Sequence, residues 1–408
     1  MSTEIKTPVR AAGWLLGPAF VASIAYVDPG NVAANVSAGA QYGFLLVWVI
    51  VVANVMAGLV QYLSAKLGLV TGRTLPESVA DHSRPRTRIA YWIQAELVAM
   101  ATDLAEVVGG AIALYLLFDL PLLLGGVITG FVSLLLLAVQ NHSGQRVFER
   151  VITGLLLVIA IGFLTSLFVE PPSAGDVIGG LVPHFEGPES ILLATAMLGA
   201  TVMPHAVYLH SGLARDRHGH LEAGAPRRRL LRVTRYDVGL AMLVAGAVNL
   251  AMLLVAATNL QGVENTGSIE GAYSAVQNTL GHTVALFFAI GLLASGLAST
   301  SVGAYAGAMI MQGLLRKSYP LLLRRVVTLI PALVVLAIGV DPSRALVLSQ
   351  VVLSFGIPFA LIPLVRLTSN RELMGGDVNH RVTTALGWTV AAVISVLNVV
   401  LVYLTVKG

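Results

Sequence analysis

The stretch Asp28-Pro29-Gly30-Asn31 decides how this chain folds, because it interrupts an otherwise apolar run over residues 11–48. Pro29 removes a backbone donor and clashes with the preceding helical turn, and it pushes Asp28 away from helical dihedral angles. Gly30 permits almost any backbone conformation. The run therefore predicts a membrane helix that breaks near the middle of the bilayer, with a carboxylate at the break.

A carboxylate at that depth is costly. A charge at the bilayer centre costs about 2.5–3.5 kcal/mol even on a lenient insertion scale. A carboxylate, a side-chain amide and the backbone carbonyls freed by the break together favour a cation site. The alternative is a proline-kinked helix in which Asp28 only caps the second half.

The composition indicates a polytopic membrane protein. The chain has 408 residues, of which 56% are hydrophobic and 11% are charged, whereas soluble domains carry roughly 25% charged residues. A spanning helix needs about 20 residues, and about eleven apolar segments of that length fill the chain. We expect a single transmembrane domain (1–408) with spans at 12–40 (broken), 44–66, 88–116, 121–140, 147–169, 190–213 (broken), 236–258, 278–300, 321–339, 345–366 and 382–405.

Lys and Arg are distributed unequally between the two sets of predicted loops. Basic residues mark cytoplasmic loops, and only Arg344 and Lys407 fall on the side opposite the N-terminus. The pattern predicts a bacterial cell-membrane protein with a cytoplasmic N-terminus and an extracytoplasmic C-terminus, and it explains the basic charge without nucleic-acid binding. An arginine cluster at 227–235 is typical of a cytoplasmic anchor; a lipid head-group site is the alternative.

The second half of the chain contains a counterpart of the first break. The sixth segment includes Met203-Pro204-His205, so a proline again follows a possible ligand near mid-membrane. Interrupted segments at corresponding positions of two halves indicate a transporter built from inverted repeats, with its site at the midplane. We therefore expect repeat 1 at about 12–169, repeat 2 at about 190–366 and an extra helix at about 382–405.

The two motifs together resemble the Nramp family of proton-coupled divalent-metal transporters. Residues 94–106 in the third segment, 296–313 between the eighth and ninth segments, and 348–350 in the tenth also look like the family. The resemblance covers nearly the whole chain and is greatest to the bacterial manganese importers. It implies an all-α, LeuT-like fold with two inverted five-helix repeats and an eleventh helix, in which helices 1 and 6 are broken at mid-membrane.

The resemblance also implies a metal site. The implied ligands are side chains and freed carbonyls of the two breaks, with one more side chain when the outer gate closes: Asp28, Asn31, Met203, Ala25, Ala200 and Gln350. The chemistry agrees, because a thioether is a soft ligand that Ca²⁺ and Mg²⁺ do not favour, whereas the mixed set suits Mn²⁺, Fe²⁺ and Cd²⁺. Taken alone, Met203 would be interpreted as a flexible core filler.

A row of acids predicts a proton route. Glu96, Asp103 and Glu106 of the third segment lie along one helix face, and intramembrane acids in series are typical of a proton relay. The resemblance assigns that role to Asp103 and Glu106. Carboxylates that are merely capped or salt-bridged to basic residues are the alternative.

Three basic or titratable side chains accompany these acids. His205 can change charge near neutral pH, so it is a candidate for gating or proton transfer. Arg324 and Arg325, at the start of the ninth segment, are either partners of the proton or plain cytoplasmic anchors. Because metal ligands must be deprotonated, Asp28 would lose its proton when a metal binds.

These patterns favour a secondary active importer of Mn²⁺, Fe²⁺, Cd²⁺ and similar ions, coupled to inward protons by alternating access. It would not be an enzyme and would need no cofactor; its partners would be metal ions, protons and the bilayer, with no nucleic acid and no obligatory protein partner. Three other classes of protein have different requirements. A channel requires a continuous pore, and an intramembrane metalloenzyme requires several His or carboxylate ligands. An organic-substrate carrier would favour unwound glycines without a central thioether.

Overall fold

The computed structural model describes residues 17–143, 145–263, 268–317 and 320–407. Residues 12–16, the start of the first predicted span, lie outside these ranges. The helices are, in chain order, α1 (Pro18–Ser23), α2 (Pro29–Tyr42), α3 (Val47–Thr71), α4 (Leu75–Asp81), α5 (Pro85–Phe118), α6 (Leu122–Ser143), α7 (Gln145–Val169), α8 (Ala174–Gly179), α9 (Gly187–Thr201), α10 (Pro204–His218), α11 (Ala225–Asn259), α12 (Ile269–Leu280), α13 (His282–Leu315), α14 (Leu321–Ala337), α15 (Pro342–Thr368), α16 (Arg371–Met374) and α17 (Arg381–Lys407).

Each predicted span corresponds to a helix or to a broken pair. The first span is α1 and α2, and the sixth is α9 and α10. The others are α3, α5, α6, α7, α11, α13, α14, α15 and α17. Within the described ranges, eight helical stretches are long and apolar enough to cross a membrane. The prediction of an all-α polytopic membrane protein is confirmed.

The predicted end of the eighth span at residue 300 is wrong, because α13 continues to Leu315. Residues 296–313, which we expected between two spans, therefore lie inside a helix. At 34 residues, α13 is about 51 Å long, well beyond the roughly 30 Å hydrocarbon core. Its glycines allow close packing on α5: a Cβ at Gly296 would lie 3.1 Å from the Glu106 carbonyl oxygen.

The first break follows the predicted proline chemistry. After α1, the chain forms a 3₁₀ turn at Ile24–Val27, and Asp28 is extended at φ −75° and ψ 167°. Pro29 then occupies the first position of α2. A backbone N–H at that position would have no partner within the helix, so its absence in proline costs no hydrogen bond. The carboxylate of Asp28 caps α2 by accepting a hydrogen bond from the backbone nitrogen of Asn31 at 2.7 Å.

Side chains from the other repeat hold this broken segment in place. Asp237 of α11 accepts hydrogen bonds from the backbone nitrogens of Gly17 (3.1 Å) and Ala19 (3.0 Å), at the start of α1. Asn249 of α11 donates to the carbonyl of Tyr26 at 2.7 Å. Asp237 therefore caps the start of α1, and Asn249 satisfies a carbonyl beside the break from across the fold.

The second break has the same construction. Helix α9 ends at Thr201, Val202 leaves the helical region, and Met203 (φ −63°, ψ 122°) precedes Pro204, which begins α10. The two breaks thus present the carboxylate of Asp28 and the thioether of Met203 at equivalent points of two interrupted helices.

Glycines bring the neighbouring helices close to both breaks. A Cβ at Gly199 of α9 would lie 2.0 Å from the carbonyl oxygen of Gln350 in α15, and a Cβ at Gly109 of α5 would lie 2.0 Å from the Cβ of Pro29. Real Cβ atoms do not approach other atoms so closely. These two glycines therefore set how closely α15 and α5 approach the broken helices.

We predict that Gly199→Ala destabilises the protein, because the new methyl group meets backbone atoms of α15 that cannot move independently. Overpacking of this kind costs about 1–3 kcal/mol. The measurement is reversible unfolding of the purified chain in mixed micelles.

The matched control is Gly154→Ala, an exposed position in α7 where a Cβ has no neighbour within 4 Å. It should leave stability unchanged or raise it by up to about 1 kcal/mol. Equal stability of the two variants would contradict the tight α9–α15 contact.

Candidate functional site

Asn31 joins the two breaks directly. Its side-chain Nδ2 donates to Oδ1 of Asp28 at 2.8 Å and to the carbonyl oxygen of Ala200 at 2.9 Å. That carbonyl lies near the C-terminal end of α9, where carbonyls have no helical partner. The structure therefore brings together Asp28, Asn31 and Ala200, three residues that the sequence placed in one site from separate repeats.

A third element closes over the carboxylate. Gln350 of α15 donates from Nε2 to Oδ2 of Asp28 at 3.0 Å. The contact requires the glycine at position 30, because a Cβ there would lie 1.5 Å from that nitrogen. Asp28, Asn31 and Gln350 are all 0% exposed, so this arrangement is closed to solvent.

Two acceptors in this cluster have no hydrogen-bond partner in the part of the chain that the structure describes. They are Oδ1 of Asn31 and Oε1 of Gln350, both buried. A buried acceptor without a partner is costly, and native proteins rarely retain one without a reason. Beside the Asp28 carboxylate, two such amide oxygens form a set of oxygen ligands that suits a divalent cation.

The other two predicted ligands lie within the breaks. Met203 is the residue that precedes α10 and is fully buried, so its thioether belongs to the interior of the fold. Ala25 lies in the buried 3₁₀ turn before Asp28. The carbonyl of Val27 in that turn accepts a hydrogen bond from the Ser295 hydroxyl at 2.5 Å.

The basic residues of α14 pair with two acids of α5. Arg324 Nη2 lies 2.9 Å from Oε1 of Glu96, and Arg325 forms an ion pair with Asp103. Arg325 also donates from Nε to the hydroxyl of Ser133 in α6 at 3.2 Å. Both arginines are buried and contact these acids, as the expectation of partners for the acids requires.

Glu106 differs from the two paired acids. It is buried and, among the described residues, forms no ion pair; its polar neighbour is the hydroxyl of Thr300 in α13. It faces α13, where a Cβ at Gly303 would lie 3.0 Å from Oε1. Gly109, one turn further along α5, packs against Pro29. Glu106 therefore lies between the carboxylate of the first break and the paired acid at Asp103.

His205 follows the second break and contacts α5 beside the row of acids. Its Nδ1 lies 3.3 Å from the hydroxyl of Thr102, the residue before Asp103, and its buried Nε2 has no partner among the described residues.

Sequence reasoning missed a second histidine in α10. His210 is fully buried, and its Nδ1 lies 2.6 Å from Oε1 of Gln61 in α3. A second histidine in the same half-helix was visible in the sequence, but its partner lies 149 residues away.

The fold and the site define a membrane transport protein with two interrupted helices around a buried carboxylate. The chain belongs to the Nramp family: residues 19–404 match the family model described as natural resistance-associated macrophage protein-like. This confirms the family that the sequence motifs indicated.

Relatives and solved structures agree with that assignment. The chain is 68% identical over 408 residues to the divalent metal cation transporter MntH of Mycobacterium tuberculosis (strain CDC 1551 / Oshkosh). The match covers 100% of this chain and 95% of that protein. The chain also matches a crystal structure of the Eremococcus coleocola manganese transporter in complex with an aromatic bis-isothiourea substituted compound. The two sequences are 30% identical and the structures superpose with a TM-score of 0.84. The match covers 98% of this chain and 89% of that chain.

A more distant structure supports the fold alone. MhsT in complex with L-phenylalanine is 14% identical, with a TM-score of 0.64, and the match covers 97% of this chain and 98% of that chain. The predicted LeuT-like fold is confirmed. The relatives are named as transporters, which agrees with the expectation that the chain is not an enzyme.

Proposed function

We propose that this chain is a secondary active importer of divalent transition metals, Mn²⁺ foremost, with Fe²⁺ and Cd²⁺ as related cargo, and that inward protons drive it. The observation that carries the proposal is the buried carboxylate of Asp28, which lies where the two broken helices meet. The two amides that contact it, of Asn31 and Gln350, each have an oxygen with no partner among the described residues. The printed names of the relatives, a divalent metal cation transporter and a manganese transporter, support the same cargo.

The proposed ligands divide into hard and soft atoms. Oxygens come from the side chains of Asp28, Asn31 and Gln350 and from the carbonyls of Ala200 and Ala25. Sulfur comes from Met203. A single carboxylate without a thiolate keeps affinity moderate, as release of the cargo requires, and the thioether disfavours Ca²⁺ and Mg²⁺.

The burial of the site supports a carrier rather than a channel. A channel requires a continuous pore, whereas Asp28 is closed off by Gln350 of α15 and has no exposed surface. Loading and release would each require one side of the site to open. The hydrogen bonds among Asp28, Asn31 and Ala200 would be exchanged for metal contacts when the cargo binds.

The proton would leave the site along α5. Metal binding requires the deprotonated form of Asp28, and the acids at 106, 103 and 96 follow one another over about 15 Å of helix. Arg325 and Arg324 form ion pairs with Asp103 and Glu96, respectively. His205, which contacts the same helix through Thr102, would act in gating or in proton transfer.

The chain would form one transmembrane domain in the bacterial cell membrane. We assign repeat 1 to about 12–169, repeat 2 to about 190–366 and the extra helix to about 382–405. The placement of Lys and Arg supports a cytoplasmic N-terminus and an extracytoplasmic C-terminus. No cofactor and no obligatory protein partner enter this scheme.

We predict that Asp28→Ala reduces Mn²⁺ uptake into proteoliposomes to background, because the only charged ligand of the proposed site is removed. Asp176→Ala, which removes an exposed carboxylate from α8, is the matched control and should retain full uptake. Substantial uptake by a correctly folded Asp28→Ala protein would rule out the site.

We predict that Met203→Ala weakens discrimination against Ca²⁺ and Mg²⁺ more than it weakens Mn²⁺ uptake, because the soft ligand is lost. The measurement is Mn²⁺ uptake with competing Ca²⁺. Met203→Leu keeps most of the side-chain volume and should behave like the alanine variant, whereas Met252→Ala, another buried methionine, should leave selectivity unchanged. If Ca²⁺ competes with Mn²⁺ equally well in the Met203→Ala variant and the wild-type protein, the proposed role of the thioether is ruled out.

We predict that Asp103→Asn impairs proton flux while some metal transport remains, because the relay loses a group that can exchange a proton. Metal-sensitive and pH-sensitive dyes in one liposome preparation measure both fluxes. Asp341→Asn, which changes an α15 cap to another good capping residue, is the control. Equal loss of both fluxes would refute a proton path separate from the metal path.

A further inference from the structure

A basic pocket lies at the start of α11, apart from the metal site. It has a volume of about 310 Å³ and is lined by the end of α3, the first turns of α11 and the segment before α17. We call it the basic pocket; the lining residues used below are Tyr62, Lys66, Arg228, Arg232, Arg235 and Asp377. From the sequence alone, the arginine cluster at 227–235 was compatible with either a cytoplasmic anchor or a lipid head-group site.

The positive charge of this pocket is not balanced by the protein. Asp377, the acid in the lining, is already paired with Arg227 at 2.5 Å. Among the described residues, none of the ion pairs includes Arg228, Arg232 or Arg235. A cytoplasmic anchor needs basic residues on one side of the membrane, but it does not need them to converge on one cavity.

Two of the cations are held in position by neutral groups. Lys66 is 7% exposed, and its ammonium donates to Oδ1 of Asn379 at 2.8 Å. The guanidinium of Arg235 lies over the ring of Tyr62, 5.0 Å from its centroid. These contacts orient the two side chains without neutralising them. The acid near Lys66 is Asp377, which is already paired with Arg227, so the cluster keeps an excess of positive charge that favours an anion.

The surface next to the pocket indicates that the anion carries acyl chains. Arg232, Tyr236, Leu240 and Leu243 follow one another at offsets of four, four and three, so they form one stripe along α11. The last three are 65%, 46% and 66% exposed. A tyrosine at the boundary between a basic turn and exposed leucines is typical of the membrane–water interface. A soluble anion would make no use of that stripe.

We propose that the basic pocket binds the phosphate head group of an anionic glycerophospholipid of the cytoplasmic leaflet, with the acyl chains along Tyr236, Leu240 and Leu243. Basic pockets between membrane helices on the cytoplasmic side are a known form of lipid recognition. The bound phosphate pairs with Arg228 and Arg232, and Lys66 and Arg235 complete its surroundings. The site does not depend on the cargo of the metal site.

Native mass spectrometry of the full-length chain in detergent tests this inference, with phosphatidylglycerol and phosphatidylcholine of identical acyl chains as probes. The wild-type protein should bind phosphatidylglycerol at least fivefold more tightly. Arg232→Glu should lose that preference, since one basic residue near a membrane surface contributes about fivefold in affinity. Arg229→Glu makes the same charge change on a neighbouring exposed arginine outside the pocket, and it should keep the preference.

Three results would overturn the proposal. The first is equal binding of the two lipids by the wild-type protein. The second is an equal loss in Arg229→Glu and Arg232→Glu, which would mean a diffuse charge effect of the cytoplasmic anchor. The third is displacement of phosphatidylglycerol by inorganic phosphate or glycerophosphoglycerol at comparable concentration, which would assign the pocket to a soluble anion.

Discussion

The structure depends on one buried side chain, the amide of Asn31, which donates to the carboxylate of Asp28 and to the carbonyl of Ala200. A broken helix exposes backbone groups that a membrane cannot hydrate. Here each break supplies what the other lacks: the first brings a donor and a charge, and the second brings a carbonyl. Two costly interruptions therefore stabilise each other where they meet, and the same groups are suited to hold a cation.

The local features of this arrangement were predictable from the sequence. Proline and glycine affect the backbone conformation of the residues next to them, so Asp28-Pro29 and Met203-Pro204 identified both breaks. The helix ends were less predictable. Hydropathy indicates which residues lie in the bilayer, whereas the backbone hydrogen bonds decide where a helix ends. For that reason α13 runs through residues that we expected in a loop.

Long-range pairings were the part that the sequence could not supply. Asp103 and Arg325 are separated by 222 residues, and Glu96 and Arg324 by 228. The sequence around each acid does not distinguish an ion-paired acid from an unpaired one. A proton relay and a set of salt bridges were therefore both possible interpretations. The structure pairs Asp103 with an arginine, whereas Glu106, one turn away, has no ion-pair partner among the described residues. Only the packing of α13 and α14 creates this difference.

The adjacent arginines of α14 also have a mechanical consequence. They attach to α5 at two points, Glu96 and Asp103, about 10 Å apart along the helix, and Arg325 extends the attachment to Ser133 of α6. Two attachment points seven residues apart resist both sliding and rotation of α14 against α5. The contact with Ser133 extends that restraint to α6, so these three helices resist movement relative to one another.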